Sequence, residues 1–261
     1  MTGSTKFDGE WIRRFHPSNE SEFRLFCFPH AGGSASYYYA LSQALAPAVD
    51  MLALQYPGRQ DRRAEGCIVD LCELADRVYA ALRQAEDGRP AVFFGHSMGS
   101  ILAFEVARRY QEDAGSAPAW LFASGYPAPS RLRGGTVHRR DDAGILDELR
   151  VVGGTDPVWL EDEDLMASIL PAVRGDYTAV ETHPRVTGVR LDCPITMLTG
   201  DDDPHTTIAE AEAWGEHTAD EFSLHVFEGG HFYLDRHGPE IADIIAGTVK
   251  EISATVKGMA R

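Results

Sequence analysis

Long apolar runs are missing from this 261-residue sequence, and cysteine is scarce. No window approaches the roughly 20 apolar residues of a membrane span, and the N-terminus lacks the apolar core of about 7–15 residues found in a secretory signal. The four cysteines show neither a C-x-x-C pair nor another metal-type spacing: Cys27, Cys67, Cys72 and Cys193. We therefore expect a soluble, cytoplasmic protein without a membrane partner, whose cysteines are small buried hydrophobic residues in a reducing compartment.

Basic residues are also in short supply. The chain has 24 Lys+Arg against 40 Asp+Glu, which gives a formal net charge of −16. This charge would repel a nucleic-acid backbone, so we expect no nucleic-acid partner. It would repel an acidic protein partner as well, unless a local basic patch offsets it. The sequence offers one such patch: Arg131, Arg133, Arg139 and Arg140.

Short β-rich apolar runs alternate with stretches of helical period along the whole chain. The predicted strands are Phe23–Phe28, Met51–Gln55, Ala91–Phe94, Trp120–Ala123, Ile195–Thr199 and Ser223–Phe227. The predicted helices between and after them are Tyr38–Ala46, Val69–Glu86, Met98–Glu112 and Glu240–Val256. This alternation, in a chain of ordinary globular composition, predicts a single α/β domain with a mostly parallel central sheet flanked by helices.

One connection is too long for a simple crossover. About 70 residues separate the strand ending near Ser124 from the one that begins at Ile195, whereas a crossover helix needs about a dozen. The surplus predicts a helical lid inserted over approximately 127–190. One of its helices begins at Asp141 or Asp142 and ends before Gly153, and Pro171 kinks or ends a second.

The pentapeptide Gly-His-Ser-Met-Gly, with Ser97 at its centre, follows a predicted strand and precedes a predicted helix. This G-x-S-x-G context is typical of a nucleophile elbow, where a sharp turn exposes the serine hydroxyl above the sheet. Both glycines are expected because a side chain there would collide with the neighbouring strand and helix. The alternative is a tight turn in which Ser97 only caps the helix.

A serine nucleophile needs a base and an acid, expected here in the chain order Ser, Asp or Glu, His. His231 follows the last strand and a Gly-Gly turn, which favours it as the base. The acid should follow the strand ending at Gly200, where G-x-x-D favours Asp203 over Asp201. Consecutive aspartates point in different directions, so we expect no metal site there.

An oxyanion hole should accompany these groups. The backbone N–H of Met98, at the start of a helix, is one expected donor. The N–H of Ala31, in the Gly-rich loop after the first predicted strand, is the other. Gly32 and Gly33 could instead simply shape a turn.

These segments together resemble the type II thioesterases of polyketide and non-ribosomal peptide assembly lines, a branch of the α/β-hydrolases. The resemblance covers nearly the whole chain through FCFPHAGGSASYY, LQYPGRQDR, FFGHSMGSILAFEVAR, LDCPITMLTGDDDP and GGHFYL. It implies the triad Ser97, Asp203 and His231. It also implies hydrolysis of acyl groups from the phosphopantetheine arm of acyl or peptidyl carrier proteins. Nothing in the sequence demands more than a monomer, and we expect no cofactor apart from the phosphopantetheine that carries the substrate.

The resemblance leaves some roles open. Four apolar residues of the lid could face the acyl chain or could pack on the sheet: Leu165, Met166, Ile169 and Leu170. Arg59, in the YPGR segment, is assigned a structural role, bound to backbone carbonyls or to a neighbouring acid. A small-molecule carboxylesterase or acyltransferase could use the same triad, and a non-catalytic module that binds a synthase is the third hypothesis.

Overall fold

A seven-stranded sheet forms the centre of the computed structural model, which describes residues 10–259, except for the side chains of 114, 157 and 255–259. The strands are β1 (Ile12–Arg13), β2 (Arg24–Phe28), β3 (Asp50–Leu54), β4 (Ala91–His96), β5 (Trp120–Ser124), β6 (Ile195–Gly200) and β7 (Phe222–Phe227). Their order is β1-β3-β2-β4-β5-β6-β7. Only β1 pairs antiparallel, which confirms the mostly parallel sheet.

Helices cover both faces of the sheet. Those outside the insertion are α1 (Tyr39–Leu45), α2 (Leu71–Ala85), α3 (Met98–Ala114), α7 (Ile208–Glu212) and α8 (Leu234–Met259). Side chains alternate along each strand, so Phe93 packs in one core cluster with α2 and α3, whereas Val92 and Phe94 pack in another with α1 and α8. The final helix begins six residues before its predicted start and is broken at His237, just before Pro239.

The long connection between β5 and β6 contains α4 (Asp142–Val152), α5 (Pro157–Leu160) and α6 (Glu163–Thr182). The Asp141 side chain caps α4 by accepting the N–H of Gly144, and Gly153 ends the helix at φ 83°. Helix α6 continues eleven residues beyond Pro171, so of the two predicted alternatives, a kink or an end at this proline, the end is excluded. Buried residues before and after Pro171 hold the helix in place. The limits 127–190 and the lid role stay predictions.

The described cysteines are all free thiols, as predicted. Cys27 and Cys193 are buried as expected, whereas Cys67 and Cys72 are only partly covered, so the expectation of burial is wrong for these two. Within residues 10–259, no helix is long and apolar enough to cross a membrane.

Candidate active site

Ser97 lies in a sharp turn between β4 and α3, with φ 55° and ψ −125°. A Cβ on Gly95 would overlap the carbonyl oxygen of Gly99, and a Cβ on Gly99 would overlap that of Phe28 on β2. The two glycines are therefore required by sterics. The Ser97 side chain makes no capping hydrogen bond to α3, so the capping alternative does not describe it. Such a backbone costs of order 1–3 kcal/mol, and strain of this kind is typical of functional sites.

His231 and Asp203 meet at the carboxyl edge of the sheet, after β7 and β6 respectively. The Nδ1 of His231 lies 2.9 Å from Oδ2 of Asp203, and the other Asp203 oxygen accepts the N–H of His205 at 2.8 Å. The side chains of Asp203 and His231 are 0% and 3% exposed. Because a carboxylate only accepts hydrogen bonds, Nδ1 carries the proton, which leaves the Nε2 lone pair available as a base.

Asp201, the alternative acid, has a different position. It is exposed, and its Oδ1 accepts the N–H of Gly229 at 2.8 Å. It therefore fixes the Gly-Gly turn that precedes His231. The structure places Asp203, and not Asp201, on the imidazole.

Both expected oxyanion donors border the same cavity as Ser97 and His231. Met98 begins α3, so its N–H has no partner within the helix. Ala31 is the second residue of a turn closed by the Gly33 N–H on the His30 carbonyl at 2.9 Å. Among residues 10–259 the Ala31 N–H has no hydrogen-bond partner, which leaves it available to an oxyanion.

The cavity has a volume of about 420 Å³, towards the lower end of the roughly 300–1,000 Å³ common for small-molecule sites. Its apolar lining comes from Tyr126, Leu132, Val137, Val152, Tyr177 and Val180. Its charged and ionisable lining comes from Arg133, Arg140, Glu148, Glu181 and His205. The cavity thus combines apolar side chains with several charged groups.

Four apolar lid residues, for which contact with the acyl chain and packing on the sheet were both open, do not line this cavity: Leu165, Met166, Ile169 and Leu170. Met166 and Leu170 are buried in a small cluster with residues of α4 and α5, while Ile169 packs against it and Leu165 is exposed. Their apolar stripe forms the core of the insertion itself. The lining comes instead from later positions on α6, Tyr177, Val180 and Glu181, whose i, i+3, i+4 spacing was the available sequence signal.

The arginine patch suggested by the sequence is largely neutralised. Arg131 pairs with Glu216, Arg133 with Glu210 and Arg140 with Glu148. These pairs cancel most of the positive charge that an acidic partner would need.

Three further histidines surround His231. The rings of His96 and His205 lie 4.9 and 5.4 Å from it, and His30 lies 5.9 Å from His96. Burial, reinforced by His231, lowers the pKa of His30 to about 3 and that of His96 well below its usual value. Burial also lowers the pKa of His205, followed by the charge of His231. At neutral pH the rings of His30 and His96 are therefore uncharged.

The lowered pKa of His30 makes stability depend on pH. As the pH falls below 6.5 the unfolded chain binds this proton, whereas the folded chain binds it only near pH 3. Stability is therefore lost between these values, by about 2 kcal/mol from this group at pH 5. Urea unfolding at pH 7 and pH 5 checks this expectation, with His30→Gln as the control. An equal loss in both proteins would contradict it.

The strained serine, the buried His–Asp pair and the mostly parallel sheet place the protein among the serine hydrolases of the α/β-hydrolase fold. The chain belongs to the thioesterase family: the family model "Thioesterase domain" matches residues 23–249. The resemblance drawn from the motifs is thereby confirmed.

Two relatives and one solved structure with high identity to this chain are also named as thioesterases. "Thioesterase PikA5" of Streptomyces venezuelae is 46% identical over 91% of this chain and 85% of its own length. "Probable cadicidin biosynthesis thioesterase" of Streptomyces griseus is 51% identical over 87% of this chain, and the chain spans 62% of that relative. The solved structure of the type II thioesterase BorB from the borrelidin biosynthetic cluster matches with a TM-score of 0.85 at 50% identity, covering 92% of this chain and 97% of BorB.

Proposed function

We propose that this thioesterase hydrolyses acyl groups from the phosphopantetheine arm of acyl or peptidyl carrier domains, in polyketide or non-ribosomal peptide biosynthesis. The main observation behind this proposal is a single cavity lined by Ser97, by His231 and by the two residues whose backbone N–H groups are the expected oxyanion donors. The biosynthetic relatives support the carrier-bound substrate class. Removal of stalled or wrongly primed chains and release of intermediates both fit this chemistry.

Acylation is the first half of the proposed reaction. The Oγ of Ser97 attacks the thioester carbonyl while Nε2 of His231 takes its proton. The N–H groups of Ala31 and Met98 stabilise the negative oxygen of the tetrahedral intermediate. The C–S bond then breaks, the imidazolium returns the proton to the departing thiolate, and the acyl group remains on Ser97. Asp203 holds the imidazole in the correct tautomer throughout.

Deacylation repeats these roles with water. His231 removes a proton from water, whose oxygen attacks the acyl ester carbonyl, and the same donors stabilise the second tetrahedral intermediate. The ester bond breaks, His231 reprotonates Ser97, and the free carboxylic acid leaves. A thiol leaves readily and a thioester carbonyl has little resonance stabilisation, so this second half governs turnover.

The cavity favours short or polar acyl groups. Its apolar region is limited, and Arg140 and Glu148 form an ion pair on its wall with 2.8 Å between the Nη1 and Oε2 atoms. A long aliphatic chain would desolvate these charges without replacing their hydrogen bonds. Short acyl groups avoid this cost.

The test is hydrolysis of carrier-bound acyl thioesters of graded length and branching, with the matching oxyesters alongside. We expect thioesters to exceed oxyesters, and short chains to exceed long ones by about tenfold or more, since desolvating polar groups costs about 1–3 kcal/mol. Preference for oxyesters would indicate a carboxylesterase, and transfer to an added alcohol or amine in place of water an acyltransferase. No turnover of any substrate would refute the proposal.

A further inference from the structure

The YPGR segment holds one end of a buried ion pair. The guanidinium of Arg59, in the loop after β3, binds Oδ2 of Asp176 on α6, and the two side chains are 6% and 2% exposed. Burial raises the pKa of Asp176, although the charge of Arg59 opposes this. A buried ion pair is often no more stabilising than apolar residues of similar volume. Its presence therefore calls for a role other than stability.

The Asp176 carboxylate also accepts a hydrogen bond from a third group. The backbone N–H of Gly32 donates to the same Oδ2 of Asp176 at 2.7 Å, and hydrogen bonds to a charged acceptor are among the stronger ones in proteins. One helical turn earlier on α6, Val173 lies so close to Gly32 that a Cβ there would be 2.7 Å from its Cγ2. The turn His30–Gly33 thus contacts α6 at two residues, Asp176 and Val173.

The bond to Gly32 fixes how this turn is folded. Gly32 has φ +74°, as the third residue of a type II turn does, and a type I turn differs by a flip of the peptide between its two central residues. That peptide joins Ala31 to Gly32. Flipping it would remove the N–H from Asp176 and aim the Ala31 carbonyl at the carboxylate. The Ala31 N–H belongs to the preceding peptide of the same turn, so the contacts that fix the turn also fix its direction.

We propose that Asp176, held in place by Arg59, is a positioning residue for the oxyanion hole. The inference rests on the proposed acyl-Ser97 chemistry. Asp176 does not touch the acyl group; it fixes the turn that presents the Ala31 N–H. Because the oxyanion exists only along the reaction path, disturbing the turn lowers kcat and leaves KM nearly unchanged.

Two double variants separate this role from a contribution to stability. Arg59→Met/Asp176→Leu removes both charges together and deletes the acceptor for Gly32, without leaving a lone buried charge. Arg59→Gln/Asp176→Asn also removes both charges but keeps an oxygen that can accept the Gly32 N–H. Steady-state hydrolysis of a short acyl-carrier thioester is measured for both variants and the unmodified protein, together with thermal unfolding.

We expect the apolar double variant to lose about 10²-fold in kcat, as for a small displacement of catalytic geometry, with KM within about threefold of the unmodified protein. The amide double variant should keep kcat within about fivefold. If the apolar variant does not fold, Arg59→Gln/Asp176→Ala replaces it, with the same expectation.

An acceptor-deleted variant that is folded and keeps its kcat would overturn the inference, as would a loss confined to KM. Equal losses of kcat in both double variants would also overturn it, because the amide variant retains the acceptor. If the unmodified protein hydrolyses no thioester, the failure belongs to the proposed function. Activity in the unmodified protein together with full activity in the apolar variant refutes only the role of Asp176.

Discussion

Replacing Ser97 by alanine is expected to lower kcat for a carrier-bound thioester by about 10⁴–10⁶, the range seen when a triad nucleophile is removed. The change deletes the oxygen that accepts the acyl group and leaves the binding cavity intact. The Ser97 side chain makes no capping hydrogen bond, so thermal unfolding should be almost unaffected. Release of free thiol, followed with a chromogenic disulfide, measures the loss.

Labelling by a fluorophosphonate provides an independent readout. The unmodified protein should be labelled and the Ser97→Ala protein should not, because Ser97 supplies the reacting oxygen. Hydrolysis that persists at the unmodified rate in a folded Ser97→Ala protein would rule out the acyl-Ser97 mechanism. An unmodified protein that resists labelling and binds carrier domains without turnover would support the non-catalytic hypothesis.

Asp203→Asn is expected to reduce kcat by about 10⁴, because an amide NH₂ facing Nδ1 favours the wrong imidazole tautomer. Asp201→Asn is the matched control: it is the same substitution two residues away, in a side chain that accepts the Gly229 N–H. An asparagine oxygen can still accept that bond, so activity should stay within about fivefold of the unmodified protein.

The comparison of kcat values between these two variants decides the acid. If Asp201→Asn is the more damaging change, the carboxylate that orients His231 during turnover is not the one 2.9 Å from it in this structure. Equal, small effects would mean that neither carboxylate orients the base.

Most of the sheet could be predicted from the sequence because its buried strands are continuous apolar runs bounded by turn residues. All six predicted strands fall within two residues of the observed bounds. The antiparallel strand β1 could not be predicted, because its two residues, Ile12 and Arg13, are too few to show a hydrophobic period. The observed α8 begins earlier than the predicted Glu240 because it includes a first segment from Leu234 that is broken at His237, just before Pro239.

The candidate site was predictable where a motif fixes local geometry, as at Ser97 and His231. The choice between Asp203 and Asp201 depends on how the loop after β6 curves, which three consecutive aspartates do not reveal. The apolar stripe of α6 indicated a buried face but not its partner, so the sequence could not show that Met166 and Leu170 pack within the insertion itself. The pairing of Arg59 with Asp176 joins residues 117 positions apart, and no periodicity reports such a contact.

Helix α6 has a consequence for how the substrate range of this enzyme can change. Its Tyr177 and Val180 line the cavity that contains Ser97 and His231, while Asp176, their neighbour in sequence, holds the Gly32 turn. Mutations on α6 that reshape the cavity therefore risk impairing catalysis at the same time. Leu132 and Val137 border the same cavity from outside that helix. Evolution or engineering towards new acyl groups should accordingly find its tolerated changes there first.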